Sequence, residues 1–453
     1  MIDIKPIREN PGRFKKAARD KHFEVDIDEL LEIDARLREG KSELQELTTE
    51  INKLGKSVPN LSGKEKQDVI SRLTELKQKT SAIDEKLKEL QPKFDELMLL
   101  VAQPADDNVP VGKDDTENVE IRKEGKVRQF DFEPKDHVQL GLALDIIDIE
   151  RGVKLAGTRN YFLKGDGALL HWAVLRFAMD QMVGKGYVPM SVPVLMKDEA
   201  MTGTGFFPGS EDQTYRIPHQ FGSVPRRTGP DIPSQIGAGD QLNLAGTAEV
   251  PLTAYHMGEI LKAEELPLKY VALSSCFRRE AGAAGKDTYG LYRILQFDKV
   301  EQVVICKNSV EESNKFHEEI LANAEAVMRA LELPYRVVNV CTGDLGRGQA
   351  KKYDIEAWMP SRKGYCETHS ASKLYEFQAR RLNLRYRSQK TEVRSQKEKS
   401  KTQFCHTLNN TVIASPRILI PILELYQNAD GSVTIPKVLR PYMNGKEKIK
   451  GGL

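Results

Sequence analysis

The densest group of residues able to do chemistry runs from Phe277 to Glu301. Phe277-Arg278-Arg279-Glu280 leads into a glycine-rich stretch, Ala281 to Gly290, and the chain returns through Ile294 and Gln296-Phe297-Asp298-Lys299-Val300-Glu301. The pattern predicts a strand bearing two arginines and a glutamate, a loop, and a second strand. Guanidinium groups on a rigid strand suit a phosphate or a carboxylate, because their planar fork presents parallel N–H donors. Arg-Arg-Glu alone would read as a surface hairpin with ordinary salt bridges; the surrounding pattern argues for more. A second candidate set is basic: Lys53, Lys56, Lys64, Lys66 and Arg72. Lysines of this kind follow a nucleic-acid backbone if they project on an arm, and otherwise decorate a solvated helix.

The elements that carry these residues differ in kind. Leu30, Ile33, Leu37, Gly40, Leu44, Leu47, Ile51 and Leu54 step by three and four, as do Val69, Leu73, Leu76, Thr80, Ile83, Leu87, Leu90, Phe94, Leu97 and Val101. A period of 3.5 puts one narrow apolar stripe on a supercoiled helix. Ser57 to Gly63 is a turn, with Ser62 and Glu65 spaced as a capping box, so residues 28–101 are expected as an antiparallel helical hairpin with segments roughly 40 and 60 Å long. Gly40 and Pro92 interrupt the stripe, and a kink is expected at Pro92. Asp28 to Glu50 holds three Lys/Arg against eight Asp/Glu, whereas Lys53 to Lys93 holds ten against six. The distal half is therefore the basic one. Residues 104–126, rich in Pro, Asp, Gly and Asn, read as a linker. Beyond it, short β-branched runs at 270–273, 300–305 and 336–340 predict strands, and 310–331 and 416–427 have helical spacing. Clustered strands without βαβ alternation favour an α+β fold with an antiparallel sheet.

Composition excludes other classes. The 453 residues are 40% hydrophobic and 30% charged, with net charge +2, and no apolar run approaches a membrane span. No P-loop and no dinucleotide fingerprint is present. Cys276, Cys306, Cys341, Cys366 and Cys405 lie 25 to 39 residues apart, which fits neither a zinc site nor a disulfide framework. Together with an N-terminal segment that lacks an apolar core, this gives the expectation of a reducing, cytoplasmic location.

Several segments carry a family resemblance. Gly186 to Pro193 resembles motif 1 of the class II aminoacyl-tRNA synthetases, Phe277 to Glu280 with its return strand motif 2, and Asn409-Asn410-Thr411 through Arg417 to Glu424 motif 3. Gly246 to Leu252, Tyr353 to Pro360, Phe377 to Arg381 and Val438 to Met443 resemble the seryl-tRNA synthetase family in particular, as does the N-terminal hairpin. The resemblance implies a tRNA-binding domain over 1–103 and a class II catalytic domain over 127–453, built on an antiparallel β-sheet flanked by helices. It implies activation of L-serine by ATP, transfer to the 3′ end of serine tRNA, selenocysteine tRNA as a further substrate, and a homodimer. DNA and membranes are not expected partners.

By the family pattern Arg278 bridges the serine carboxylate and the α-phosphate, Glu280 accepts from the adenine amino group, and Phe297 stacks on the adenine. Arg417 covers the other face of the ring. The ATP set also takes in Arg279, Ile294, Glu367, Thr368, His369 and Ser370, with Glu367 and Ser370 holding Mg²⁺. Thr247, Ala248, Glu249, Arg278, Glu301, Asn409 and Thr411 form the serine pocket. A pocket of carboxylates and hydroxyls holds an ammonium and a small hydroxyl together, and rejects alanine by leaving buried acceptors unpaired. The sequence departs from the family at His369, which either tunes metal affinity or packs idle beside the site, and at Leu295, where histidine is common. Ile217 to Gln241 is a lid or an insertion, and Arg380 to Lys401, with nine Lys/Arg against two Asp/Glu, is a solvated loop or an acceptor-stem contact. A paralogue charging a carrier is disfavoured by the basic arm, and a catalytically silent binding module by the presence of Arg278, Glu280, Glu367 and Arg417.

Overall fold

The computed structural model describes residues 2–217, 241–282, 288–387 and 402–451. Most of the 217–241 stretch, read as a lid or an insertion, the centre of the glycine-rich loop and most of the basic stretch up to Lys401 lie outside the described residues. The chain forms two units, Met1–Pro104 and Ala105–Leu453.

In the first unit, helices α1 (Ile4–Glu9) and α2 (Pro11–Asp20) precede the long pair α3 (Ile27–Ser57) and α4 (Gly63–Leu100). Asp26 opens α3 by accepting from the Glu29 N–H at 2.9 Å. Burial follows the 3.5-residue stripe: Leu30, Ile33, Leu37, Leu76 and Val101 are buried, and the other stripe positions are half-buried, among them Gly40 and Thr80. Gly40 is a point of close approach, since a Cβ there would lie 2.9 Å from Leu87 Cδ2 on the facing helix. At the base, Arg8 grips the buried Asp34 through two bonds of 2.6 Å. One local expectation is corrected. Ser62 makes no side-chain cap bond; Gly63 enters the helix at φ +59, a left-handed route that leaves the hydroxyl out of the cap. The helix runs through Pro92 to Leu100.

The second unit is built on an eight-stranded sheet. In chain order its strands are β1 (Val119–Glu124), β2 (Val188–Met190), β3 (Leu268–Phe277), β4 (Gln296–Cys306), β5 (Tyr335–Asn339), β6 (Lys351–Met359), β7 (Gly364–Tyr375) and β8 (His406–Ser415). They lie in the order β1-β5-β6-β7-β8-β4-β3-β2, and every pairing is antiparallel except β2 with β3. Helices α5 (Asp166–Gly184) and α6 (Val310–Ala330) cover one face. Val174 and Met182 of α5 and Ile320, Leu321 and Val327 of α6 pack there on Val300, Val304, Ile355 and Ala371. The α+β expectation holds. The linker expectation does not: the Asp106 N–H donates to Ala350 O at 2.9 Å, and residues 119–124 form the sheet's edge strand β1. Turn-forming composition marks irregular backbone, and here the sheet edge satisfies that backbone's donors and acceptors.

Candidate active site

A cleft lies on the sheet face away from α5 and α6, and β4 supplies its floor. Successive side chains of a strand alternate faces, so Phe297, Lys299 and Glu301 line the cleft while Val300 and Val304 enter the core. Glu301 is ion-paired with Lys299 at 2.6 Å and accepts from Thr411 Oγ1 of β8 at 3.4 Å. Asn409 lines the same end, as do Thr247 and Glu249. Glu249 begins the short helix Glu249–Ala254; its N–H donates to Thr247 Oγ1 at 3.2 Å, and Gln378 Nε2 donates to its carboxylate at 2.8 Å. Burial, and then the neighbouring Glu301, push the Glu249 carboxyl up to about 7, against the opposing pull of Gln378, Lys299 and Arg278. This end of the cleft thus gathers two carboxylates and two threonine hydroxyls, a set able to hold an ammonium and a small hydroxyl.

The other end is built from arginines and aromatic rings. Arg278, just past β3, donates from Nε to Gly246 O at 3.4 Å and lies 5.2 Å from the centre of the Phe297 ring. Glu280 adopts φ +50, a costly conformation for a non-glycine residue, and is paired with Arg293 at 3.4 Å. Ile294 also lines the cleft. The Leu295 departure leaves the return strand intact, because its backbone accepts from the Arg278 N–H at 2.9 Å. Arg417 stands 4.5 Å from the Tyr292 ring and donates to Tyr292 O and Glu367 O, each at 3.2 Å.

Two β-bulges shape the wall. The register of β7 against β6 shifts between Glu367 and His369, so Thr368 is an extra residue and both Glu367 and Thr368 reach the cleft, followed by Ser370 and Ser372. A second shift in β8 sends Val412 and Ile413 to the core between the cleft residues Thr411 and Ala414. Burial raises the Glu367 carboxyl, but Arg417, Lys352 and Arg278 outweigh it and hold the group below its ordinary value. Asp354, behind Ser370, is pushed up to about 7 by burial.

Three expected contacts do not line the cleft. Ala248 turns into an apolar cluster with Leu252 and Ala272, and Arg279 lies exposed, its N–H bonded to Gln213 O. His369 is on the far face of β7, 1% exposed, bonded to Thr368 Oγ1 at 2.8 Å, and kept neutral by burial that lowers it to about 4. Strand alternation past the bulge forces that outcome. Lys299, Tyr292, Phe206, Gln349 and Ser372 line the cleft and Gln378 supports it, though none was anticipated. Lys299 was accessible through its two-residue spacing from Glu301; Gln378 reaches Glu249 across 129 positions and left no local signal. In the first unit Lys53, Lys56, Lys64, Lys66 and Arg72 are all exposed, with Arg72 held by Glu50 at 3.2 Å and Glu75 at 3.4 Å.

An antiparallel sheet whose cleft joins an arginine-bearing hairpin to a carboxylate pair is the architecture of a class II aminoacyl-tRNA synthetase core. The family model described as "tRNA synthetase class II core domain (G, H, P, S and T)" matches residues 235–426, and "Seryl-tRNA synthetase N-terminal domain" matches residues 1–103. A serine–tRNA ligase of Deinococcus radiodurans is 43% identical over 447 residues, covering 99% of this chain and 98% of the relative, and one of Rubrobacter xylanophilus is 40% identical with 99% of each covered. Among solved structures, the seryl-tRNA synthetase of Pyrococcus horikoshii complexed with ATP superimposes with a TM-score of 0.87 at 36% identity, with 100% of both chains covered. The chain belongs to the seryl-tRNA synthetase family.

Proposed function

We propose that the protein activates L-serine with ATP to seryl-adenylate and transfers the seryl group to the 3′ end of serine tRNA. The observation that carries this reading is one cleft with the Glu249–Glu301 carboxylate pair at one end and Arg278 over Phe297 at the other. Glu249 and Glu301 take the serine ammonium, Thr247, Asn409 and Thr411 surround its side chain, and Arg278 draws the carboxylate toward the α-phosphate. The carboxylate oxygen attacks the α-phosphorus, pyrophosphate departs, and a terminal ribose hydroxyl of the tRNA then attacks the carbonyl and releases AMP. Neither step demands an acid–base pair; positioning and neutralisation of charge carry the catalysis. Phe297 and Arg417 flank the adenine, and Glu280 and Ile294 border it.

Glu367 and Ser370 would hold Mg²⁺. One carboxylate kept ionised and one hydroxyl fit an ion that draws its other ligands from phosphates and water, whereas no cluster of three or more His, Cys, Asp or Glu stands ready for a metal among the described residues. When bound, the ion neutralises phosphate charge.

The exposed lysines of the hairpin support its role as a tRNA arm, reading a long variable arm by shape and backbone charge. Selenocysteine tRNA, with such an arm, is a second substrate under this reading. Exposed Trp172, Val188 and Leu273 near the sheet's β2 end support a homodimer, and we assign the protein to the cytoplasm. ATP–pyrophosphate exchange with serine, threonine, alanine, glycine and cysteine offered separately tests the activity. Serine-dependent exchange is expected, and none with any of the five would refute it. Sedimentation tests the dimer, and charging assays on the two tRNAs test the partners.

A further inference from the structure

We infer that Gln378 is a positioning residue of the amino-acid pocket, which determines the oxygen that Glu249 presents to the substrate ammonium. The inference rests on the assignment of Glu249 to serine made above. Gln378 is fully buried on the short helix Phe377–Arg381 and stands behind Glu249 rather than in the cleft. Each of its polar atoms has a partner that admits one amide orientation. Thr407 Oγ1 donates to Oε1 at 2.7 Å, while Nε2 donates to Thr204 O at 2.9 Å and to Glu249 Oε1 at 2.8 Å. A flipped amide would set its oxygen against a carbonyl and a carboxylate, two repulsive contacts in a buried site. One lone pair of Glu249 Oε1 is therefore engaged from behind, which makes Oε2 the less encumbered oxygen for a ligand.

The surroundings make that donor consequential. Glu301 and Lys299 face Glu249 from β4, Arg278 faces it from the end of β3, and Gln378 is the uncharged donor among them. Its N–H favours the ionised carboxylate, the form that attracts an ammonium, against the effects of burial and Glu301. Gln378 also links three separate segments, the end of the helix Asp198–Thr204, β8 and Phe377–Arg381, to a single carboxylate.

Gln378→Met keeps the length of the side chain without the amide. The serine KM in ATP–pyrophosphate exchange is expected to rise about tenfold or more, with kcat and the ATP KM within about twofold of wild type. Serine KM falls as Glu249 ionises, and the pH of that fall should move upward because the carboxylate has lost a donor. Gln378→Met with Thr407→Val removes the hydroxyl that the single change leaves unpaired. Recovery of the wild-type serine KM in the double variant would show that the orphaned hydroxyl was the cause, and the positioning role would be wrong. Equal rises in both KM values at an unchanged pH profile would overturn it too. Gln378→Glu, closest in shape, gives a second reading should the methionine variant not fold: an altered pH profile of serine KM with an unaltered ATP KM is expected, and a wild-type profile overturns the inference. Glu249→Gln separates the two layers. If its serine KM is unchanged, the assignment of Glu249 itself fails; if it rises while Gln378→Met has no effect, the positioning role alone fails.

Discussion

Glu249 and Glu301 share one end of a cleft with Lys299 and feel Arg278 from the other, and under the proposed function the balance of these charges decides how serine enters. With Glu249 at about 7, the empty pocket holds a proton at mildly acid pH that an arriving ammonium must displace. Serine affinity is expected to strengthen as pH rises through about 7, with proton release on binding, and titration calorimetry in buffers of differing ionisation enthalpy would detect it. The same shift sets a sign for stability. The folded site keeps a proton that the unfolded chain, near 4.5, has lost, so this group's contribution falls as pH rises from 4.5 toward 7. Glu249→Gln should flatten both dependences. At the other end, the proposed function has Arg278 bridge two anions with its planar fork, which the point charge of a lysine does not do. Arg278→Lys is expected to lower serine-dependent exchange by about 10²- to 10³-fold while leaving the melting temperature unchanged.

Elements place these groups by simple periodicities that small irregularities redirect. Along β4 the two-residue alternation alone brings Phe297, Lys299 and Glu301 to one face. On β7 and β8 the alternation is broken by bulges, and those breaks put Glu367 beside Thr368 and bring Ala414 back to the cleft. The family resemblance put His369 in the ATP set, whereas the extra residue at Thr368 sends it to the opposite face. In the first unit no bulge redirects the periodicity, and the apolar stripe predicted which residues are enclosed between α3 and α4. Leu76 is wholly buried in that seam. Leu76→Ala is expected to cost about 2–4 kcal/mol of the hairpin's stability, visible as an earlier helical melting transition, with serine-dependent exchange untouched.

On the scale of the whole molecule, the chain divides into a helical unit ending at Pro104 and a sheet-based unit beginning at Ala105. Under the proposed function the two carry separate tasks. Deleting Asp28 to Val101 should abolish tRNA charging and leave serine-dependent exchange largely intact; equal loss of both would contradict that division. Charging should also weaken steeply with added salt, as phosphate contacts by exposed lysines require, while exchange changes little. The amino-acid sequence by itself determined the helical hairpin, the α+β class, the family and most of the cleft residues, because heptads, β-branched runs and motif residues are local patterns. Only the tertiary structure decided that the segment after Pro104 joins the sheet, that Ala248, Arg279 and His369 stay out of the cleft, and that Gln378 supports the Glu249 carboxylate. Those outcomes depend on strand register, on bulges and on contacts between residues far apart in the chain, and none of these leaves a mark in a local window of sequence.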